Sequence, residues 1–280
     1  MATRREIYNL LYSVACEHYD AAEAKQIAEM LVLAKGNISR NDLIIEPNKE
    51  LIITDLETIL AELRSWRPVQ YIIGHADFRD MELEVREGVL IPRPETEELV
   101  EWIASESDEE TAILDIGTGS GAIAIALARE VHNSRVWAMD ISTKALAIAR
   151  TNGSRYAQNV TFIEGDALSD FDRLFDERFD VVVSNPPYIP QSDMEQMRRN
   201  VLDFEPSTAL FVPDNDPLLF YRSIARTSKK ILKQEGKLYF EIYELLSSEM
   251  IDMLEDEGYS NIILRDDFRG KPRMICATLR

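Results

Sequence analysis

The chain has 280 residues, 45% of them hydrophobic, and a formal net charge of −19 at pH 7. A chain of this length and composition can bury the cores of one large domain and one smaller domain. The acidic excess disfavours nucleic acid as a direct partner, because phosphate backbones are bound mainly through lysine and arginine. It favours a small substrate or a basic macromolecule, although the same charge also serves solubility alone.

Residues 1–20, MATRREIYNLLYSVACEHYD, carry acidic side chains among the apolar ones. This pattern differs from a signal peptide and from a membrane span. The two cysteines, Cys16 and Cys276, lie far apart, which suits a reducing compartment and no disulfide framework. We therefore expect a cytoplasmic protein without membrane contact, and a monomer.

Residues 1–70 predict a small helical domain. Apolar residues recur there at helical spacing in three stretches, separated by breakers at 35–37 and 46–48. These apolar residues are Ile7, Leu10, Leu11 and Val14; Ile27, Met30, Leu31 and Ala34; and Ile52, Leu56, Ile59, Leu60 and Leu63. Because the region lacks the usual catalytic signatures, a recognition or packing role is favoured over chemistry, and we expect it to recognise the substrate.

A β-hairpin connector is predicted over 71–92. Val69, Tyr71 and Ile73 alternate with polar or small residues, and so do Leu83 and Val85, which is typical of strands. An acidic helix follows at 95–110, with its charges on a solvated face. The remaining domain, 93–280, is expected to carry the chemistry.

From position 111 the pattern alternates between strand and helix. Strands are predicted at 111–117, 134–140, 159–166, 179–185 and 236–242, with a closing pair at 261–268 and 273–279. Helices are predicted at 120–130, 142–158, 244–258 and from an Asp216 N-cap with Pro217 first to about Gly236. Continuous apolar runs such as 181–183 indicate strands covered on both faces. The sequence therefore predicts a doubly wound α/β sheet.

The first of these strands ends in a glycine-rich turn. Glycine there allows a tight strand-to-helix connection and a close approach of the backbone to a ligand. The spacing G-x-G-x-G differs from the dinucleotide-binding G-x-G-x-x-G, and the turn has no lysine or arginine for phosphate. We expect a ligand without phosphate groups, bound by Asp115, Gly117, Thr118, Gly119, Ser120 and Gly121.

Polar side chains end the next three predicted strands: Asp140, Asp166 and Asn185. The carboxyl ends of parallel strands meet at the crevice where open α/β sheets bind ligands. Asp140 lies where a carboxylate can accept both hydroxyl groups of a ribose. A nucleoside that carries a positive charge suits this acidic edge. The sequence therefore predicts S-adenosylmethionine as the cofactor.

The fourth strand runs directly into NPPY, residues 185–188. An amide or aryl-amino nitrogen is a weak nucleophile, and methyl transfer needs it in line at roughly 3–3.5 Å. The side-chain oxygen of Asn185 and the carbonyl of Pro186 can accept the two N–H bonds of a substrate NH₂ group. Tyr188 offers a face to a planar group. We expect Asn185, Pro186 and Tyr188 to act in catalysis, and Pro187 to bind substrate with them. The alternative is that NPPY is only a proline turn after a strand, since such turns are common.

The motifs LDIGTGSG, Asp140, GD at 165–166 and NPPY together resemble class I S-adenosylmethionine-dependent methyltransferases that methylate NH₂ groups. RPVQYIIG (67–74), VLIPRPETEELVE (89–101), FEPSTAL (204–210) and FRGKPRMICA (268–277) resemble the release factor glutamine methyltransferases of the HemK/PrmC type. The resemblance covers nearly the whole chain. It implies a Rossmann-like methyltransferase sheet joined to a small N-terminal helical domain.

The resemblance also implies an activity and its partners. The expected reaction is methylation of the glutamine side-chain amide, N5, in the Gly-Gly-Gln loop of peptide chain release factors. The implied cofactor-binding residues are Gly117–Gly121, Asp140 and Asn185, with NPPY holding the glutamine. Ala167, where relatives often have a large aromatic residue, is the expected adenine neighbour beside Asp166.

Several alternatives stay open on the residues alone. Glutamine methylation of a large-subunit ribosomal protein would use the same NPPY, and adenine-N6 methylation of nucleic acid is disfavoured by the charge. A nucleoside-binding module would leave NPPY idle, and the glycine spacing argues against a nicotinamide dehydrogenase. We expect no metal site, because His18, His75 and His132 are scattered.

Overall fold

A computed structural model describes residues 2–280, which form two compact units. One unit comprises Met1–His75 together with Met197–Phe204, and the other comprises Ala76–Gln196 and Glu205–Arg280. The chain therefore passes between the units three times. The domain limits at 70 and 92 stay a prediction.

The first unit is a bundle of short helices. These are α1 (Arg4–Ala15), α2 (Ala21–Gly36), α3 (Arg40–Ile45), α4 (Leu56–Arg64) and α5 (Val69–Ile73). The helices predicted from apolar spacing are confirmed as α1, α2 and α4, and their apolar faces form one buried core. The N-termini of α1 and α2 are capped by the Thr3 and Asp20 side chains. Ile52 was expected on a helix but precedes α4 and is 68% exposed.

The segment 197–204 packs within this helical unit. The Arg198 guanidinium forms an ion pair with Glu23 at 2.6 Å. The Arg199 guanidinium lies 6.0 Å from the ring centroid of Trp66, at the outer limit of a cation–π contact. Neither contact was foreseen, because the partners are separated by more than a hundred residues in sequence.

The hairpin connector is right in part. Strands β1 (His75–Phe78) and β2 (Met81–Glu84) pair across Arg79 and Asp80, whose φ angles of 45° and 58° give the left-handed turn that matches strand twist. The alternation over 69–73 was wrong, because these residues form α5. Pro68 precedes the helix, and Gly74 ends it at φ 100°, two boundary signals that outweigh a short alternation.

The second unit is built on a seven-stranded sheet with the order β10-β11-β9-β6-β3-β4-β5. Its strands are β3 (Ala112–Ile116), β4 (Arg135–Asp140), β5 (Val160–Glu164), β6 (Phe179–Ser184), β9 (Leu232–Glu241), β10 (Tyr259–Asp266) and β11 (Pro272–Leu279). A separate parallel pair is formed by β7 (Ile189–Pro190) and β8 (Phe211–Val212). Within the large sheet, β11 alone runs in the direction opposite to the other six strands. The order reverses beside β3, which creates the crevice used by ligands in such sheets.

Helices cover both faces of this sheet. They are α6 (Pro94–Glu106), α7 (Ala122–Glu130), α8 (Thr143–Tyr156), α10 (Leu219–Ser228) and α11 (Ser247–Asp256), while α9 (Arg199–Leu202) lies in the helical unit. Val181 and Val183 join one core with α6 and α7, whereas Val182 joins the other with α10 and α11. The continuous apolar run therefore marks a strand buried on both faces, as expected. No helix among residues 2–280 has the length and apolar character needed to cross a bilayer.

One predicted helix, 216–236, was wrong at both ends. Asp216 pairs with Arg222 at 3.0 Å instead of capping, and α10 begins at Leu219. Strand β9 already begins at Leu232, and a register shift between Leu232 and Lys237, with Glu235 at φ 62°, interrupts its pairing with β6. Gly236 therefore lies inside a strand. Ile231 and Leu232, the apolar pair before Gly236, fit the end of a helix and the start of a strand equally well.

Candidate active site

The glycine-rich turn connects β3 to α7. Gly117 and Gly119 have φ angles of 74° and 55°, which side chains rarely adopt, and a Cβ at either position would meet no atom within 4 Å. Backbone strain and open space together leave room for a ligand against the main chain. Gly121 differs, since a Cβ there would lie 2.8 Å from Cδ1 of Ile125 and would disturb α7 packing.

Asp115 is fully buried beneath this turn. The Thr118 hydroxyl donates to its Oδ2 at 2.6 Å, whereas Oδ1 has no hydrogen bond of standard geometry within residues 2–280. Burial raises the pKa of Asp115 to about 7; Thr118 and the Ala124 N–H oppose that rise, and Asp140 adds to it. Ser120 acts through its backbone, whose carbonyl accepts from Asn152 Nδ2 at 2.9 Å. A buried acid beneath an open turn suits a cationic ligand.

This pKa predicts how cofactor affinity depends on pH. As pH falls through 7, Asp115 takes up a proton in the free protein and loses the charge that attracts a cation. A bound cation lowers the pKa of Asp115, so affinity falls by up to about tenfold per pH unit below 7. Titration of S-adenosylmethionine from pH 5.5 to 8.5 by calorimetry measures the slope.

Asp115→Asn is the matched control, because it keeps the size of the side chain and the bond from Thr118. The variant should bind more weakly at pH 8 and lose the slope below pH 7. The cofactor's own amino group titrates in both proteins, so its contribution cancels in the comparison. Equal slopes in the two proteins would refute this account.

Asp140 ends β4 and holds the turn to the start of α8. Its Oδ2 accepts from the Gly119 N–H and its Oδ1 from the Ser142 N–H, both at 2.8 Å. Burial raises the pKa of Asp140, and these backbone donors oppose the rise. Each oxygen keeps a free lone pair, so the carboxylate can still accept ribose hydroxyls. Ile141 beside it is 62% exposed, an apolar surface that the sequence analysis overlooked.

Asp166 and Ala167 follow β5 and have local partners. Asp166 Oδ1 accepts from the Leu168 N–H at 2.8 Å, which closes a turn. The Ala167 carbonyl accepts from the Ser223 hydroxyl at 2.7 Å. Of the predicted strand-end acids, the contacts therefore join Asp140 to the glycine turn but leave Asp166 in a turn of its own.

Strand β6 delivers NPPY next to β3. The Ser184 hydroxyl donates to the Ile116 carbonyl at 2.6 Å, which fixes the end of one strand against the other. Pro186 is buried, and Pro187 is half-buried. The Ile189 N–H donates to the Leu210 carbonyl at 2.9 Å, so the segment leaves the site through the small β7–β8 pair. Both ends of the motif are therefore held by hydrogen bonds.

A buried carboxylate behind NPPY organises its side chains. Glu241 ends β9 and is 2% exposed. Its Oε2 accepts from the Thr96 hydroxyl at 2.6 Å, and its Oε1 accepts from the Tyr188 hydroxyl at 3.2 Å. The Thr96 oxygen in turn accepts from Asn185 Nδ2 at 3.4 Å. Sequence reasoning missed Glu241, which ends an apolar strand as the other site residues do.

Burial and neighbouring groups set the protonation of Glu241 and Tyr188. Burial raises the pKa of Glu241, while Thr96 and the cationic Arg273 favour its charged form. Burial and the nearby Glu241 charge raise the pKa of Tyr188, so its hydroxyl keeps its proton and donates. The Tyr188 ring lies nearly parallel to that of Tyr243, with centroids 6.1 Å apart.

Three further sequence blocks are held by buried carboxylates. The Glu205 carboxylate accepts from the Ile91 N–H at 3.0 Å and pairs with Arg93 at 2.6 Å. The Asp267 carboxylate pairs with Arg273 at 3.2 Å. The IPRPE and FEPS blocks, which are distant in sequence, are therefore joined to each other. Arg273 of FRGKPR also donates to the Ile242 carbonyl at 3.3 Å, directly after β9.

One potential ion-binding group lies on the hairpin. Ligand atoms of His75, Asp77 and Glu82 lie within 4.8 Å of one another. The histidine is thus less isolated than its sequence position suggested. The group is half-exposed to exposed, and surface acids of this kind often hold no ion.

The amino-acid sequence is similar to those of known methyltransferases. Residues 113–204 match a family model described as a methyltransferase domain. A protein named "Release factor glutamine methyltransferase" from Flavobacterium psychrophilum is 42% identical over 270 residues, 94% of each chain. One with the same name from Bacteroides thetaiotaomicron is 41% identical over 92% of this chain and 94% of its own. The chain belongs to the release factor glutamine methyltransferase family.

The fold agrees with this family. A methyltransferase structure from Pyrococcus furiosus superposes with a TM-score of 0.53 at 18% identity, covering 71% of this chain and 89% of its own. The protein is a methyltransferase with a class I α/β fold, and its cofactor is S-adenosylmethionine. The residues fit that molecule, since Asp115 and Asp140 are acidic groups at this edge and the open space beside Gly117 and Gly119 lets a ligand approach the main chain.

Proposed function

We propose that the protein methylates N5 of the glutamine side chain in the Gly-Gly-Gln loop of peptide chain release factors. The names of the two relatives above support release factors as the substrate. The observation that carries the chemistry is the Asn185 amide, whose NH₂ end is directed to Thr96. Its carbonyl oxygen is then available to a substrate N–H.

The residues act by positioning a reluctant nucleophile. An amide nitrogen shares its lone pair with the carbonyl group and attacks poorly. Asn185 Oδ1 and the Pro186 carbonyl accept its two N–H bonds, which raises electron density on nitrogen and fixes its direction. S-adenosylmethionine supplies a methyl group from a sulfonium that departs as a neutral thioether. The site therefore needs no acid for the leaving group, and the alkylated nitrogen loses a proton readily.

The helical unit is proposed to bind the body of the release factor. Ile44, Ile45 and Ile52 are 68%, 75% and 68% exposed, which is unusual for isoleucine. The double substitution Ile44→Asp/Ile45→Asp should raise KM for release factor about tenfold or more and leave cofactor affinity unchanged. Ile263→Asp, at a 47% exposed position on β10, is the control. Equal KM values for the two variants would contradict this docking surface.

The substrate assignment is tested with labelled S-adenosylmethionine. Purified release factor, a large-subunit ribosomal protein and DNA are supplied in parallel, and label is expected on the release factor. A release factor whose loop glutamine is changed to alanine should not be labelled. Label that appears only on DNA or on the ribosomal protein would overturn the assignment.

A further inference from the structure

Glu241 contacts NPPY without reaching the solvent side of the site. It lies on β9 next to β6, where Phe240 is in register with Ser184. Its two oxygens serve Thr96 and Tyr188, and its backbone carbonyl accepts from the Tyr221 hydroxyl at 3.0 Å. A side chain this buried can influence the substrate only through its partners.

The Thr96 hydroxyl sets the direction of the hydrogen bonds. It has a single proton, and the short 2.6 Å bond to Glu241 uses it. The Thr96 oxygen can therefore only accept from Asn185, which requires the NH₂ end of that amide. The opposite end, the Asn185 carbonyl oxygen, is the one left for a substrate. Without the Glu241 acceptor, the hydroxyl could donate to Asn185 and turn the amide around.

We infer that Glu241 is a positioning residue that, through Thr96, fixes Asn185 as a hydrogen-bond acceptor toward the substrate. Glu241 also holds the Tyr188 hydroxyl, so one carboxylate sets two of the NPPY side chains. The inference rests on the proposed function of Asn185 in methyl transfer. It assigns a purpose to Thr96 in the IPRPETE block, for which the sequence alone gave none.

The activity test uses four variants of the full-length protein. Thr96→Val and Glu241→Met, which removes the acceptor at similar side-chain length, should lower kcat about 10- to 100-fold, with KM for release factor and cofactor affinity within about threefold of wild type. Thr96→Ser restores the hydroxyl and should stay within about threefold of the wild-type kcat. Thr111→Val makes the same change at a buried threonine directly before β3 and should leave kcat unchanged.

A second readout needs neither cofactor nor substrate. The side-chain NH₂ protons of Asn185 are identified in ¹⁵N NMR spectra by their loss in Asn185→Asp. Thr96→Val and Glu241→Met should shift them, whereas Thr111→Val should not. A wild-type kcat in Thr96→Val, an unshifted Asn185 signal, or a Thr96→Ser enzyme as slow as Thr96→Val would each overturn the inference.

Failure of the proposed function is separable from failure of this inference. The wild-type protein is first assayed against the three substrates. If it labels a substrate other than release factor, the assignment of the substrate fails, and the same variants are then compared on that substrate. If Thr96→Val does not fold, the ratio of kcat values between Glu241→Met and Thr96→Ser decides the question.

Discussion

Replacing Asn185 by alanine should lower kcat for methyl transfer by about 10³-fold. Loss of one preorganised hydrogen-bonding group at a reacting centre typically costs 10²–10³-fold, and here the lost acceptor also orients the nucleophile. The NPPY backbone should persist, because Ser184 and Ile189 anchor it through their own hydrogen bonds. Single-turnover transfer of labelled methyl groups to release factor measures the effect.

Cofactor affinity should separate this effect from misfolding. In Asn185→Ala the Kd for S-adenosylmethionine should stay within about fivefold of wild type, since the glycine turn and Asp140 are intact. Asn9→Ala, at an exposed position on α1, serves as a control with normal kcat. Normal transfer by Asn185→Ala with bound cofactor would remove the Asn185 side chain from the mechanism.

Replacing Asp140 by alanine should raise the Kd for S-adenosylmethionine by at least about 100-fold. Hydrogen bonds to a charged group contribute about 1.5–3 kcal/mol each, so two ribose hydroxyls on one carboxylate account for about 3 kcal/mol or more. The Gly119 and Ser142 N–H groups also lose their acceptor, which loosens the turn. Calorimetric titration at pH 8, where Asp115 is charged, gives the Kd.

Glu164→Ala is the matched control for Asp140. Glu164 is in register with Asp140 on the neighbouring strand β5 and is exposed. The Glu164→Ala substitution removes one acidic charge from the same sheet edge, so a general electrostatic effect would appear in both variants. Affinity within about twofold of wild type is expected for Glu164→Ala. Equal losses in the two variants would mean that bulk charge, and not a specific contact, holds the cofactor.

The sheet and its ligand-binding edge were predictable because short-range rules govern them. Apolar runs such as 181–183 identify strands buried on both faces, and parallel strands must place their carboxyl ends together. The glycine turn is a local feature as well, since left-handed backbone at 117 and 119 requires glycine. These rules put Asp140 and Asn185 at one edge without knowledge of any tertiary contact.

The errors and omissions arose where tertiary context decides. At 69–73, helix boundary residues outweighed an alternating pattern, and at 231–236 an interrupted strand replaced a helix end. The Thr96–Glu241 bond joins residues 145 positions apart, and each looks ordinary in its own segment. No periodicity can reveal such a pair. Its only trace is a polar residue that ends a buried strand beside other site residues.

The excursion of 197–204 into the helical unit has a consequence for how the protein can be divided. A single cut near 75 would leave Arg198 and Arg199 without Glu23 and Trp66, while their segment stays tethered at both ends to the methyltransferase unit. The N-terminal helices are thus not a detachable module. A truncated enzyme would have an unsupported connection directly after NPPY, so its low activity could not be attributed to lost docking. Chimeras within the family should exchange 1–75 and 197–204 together.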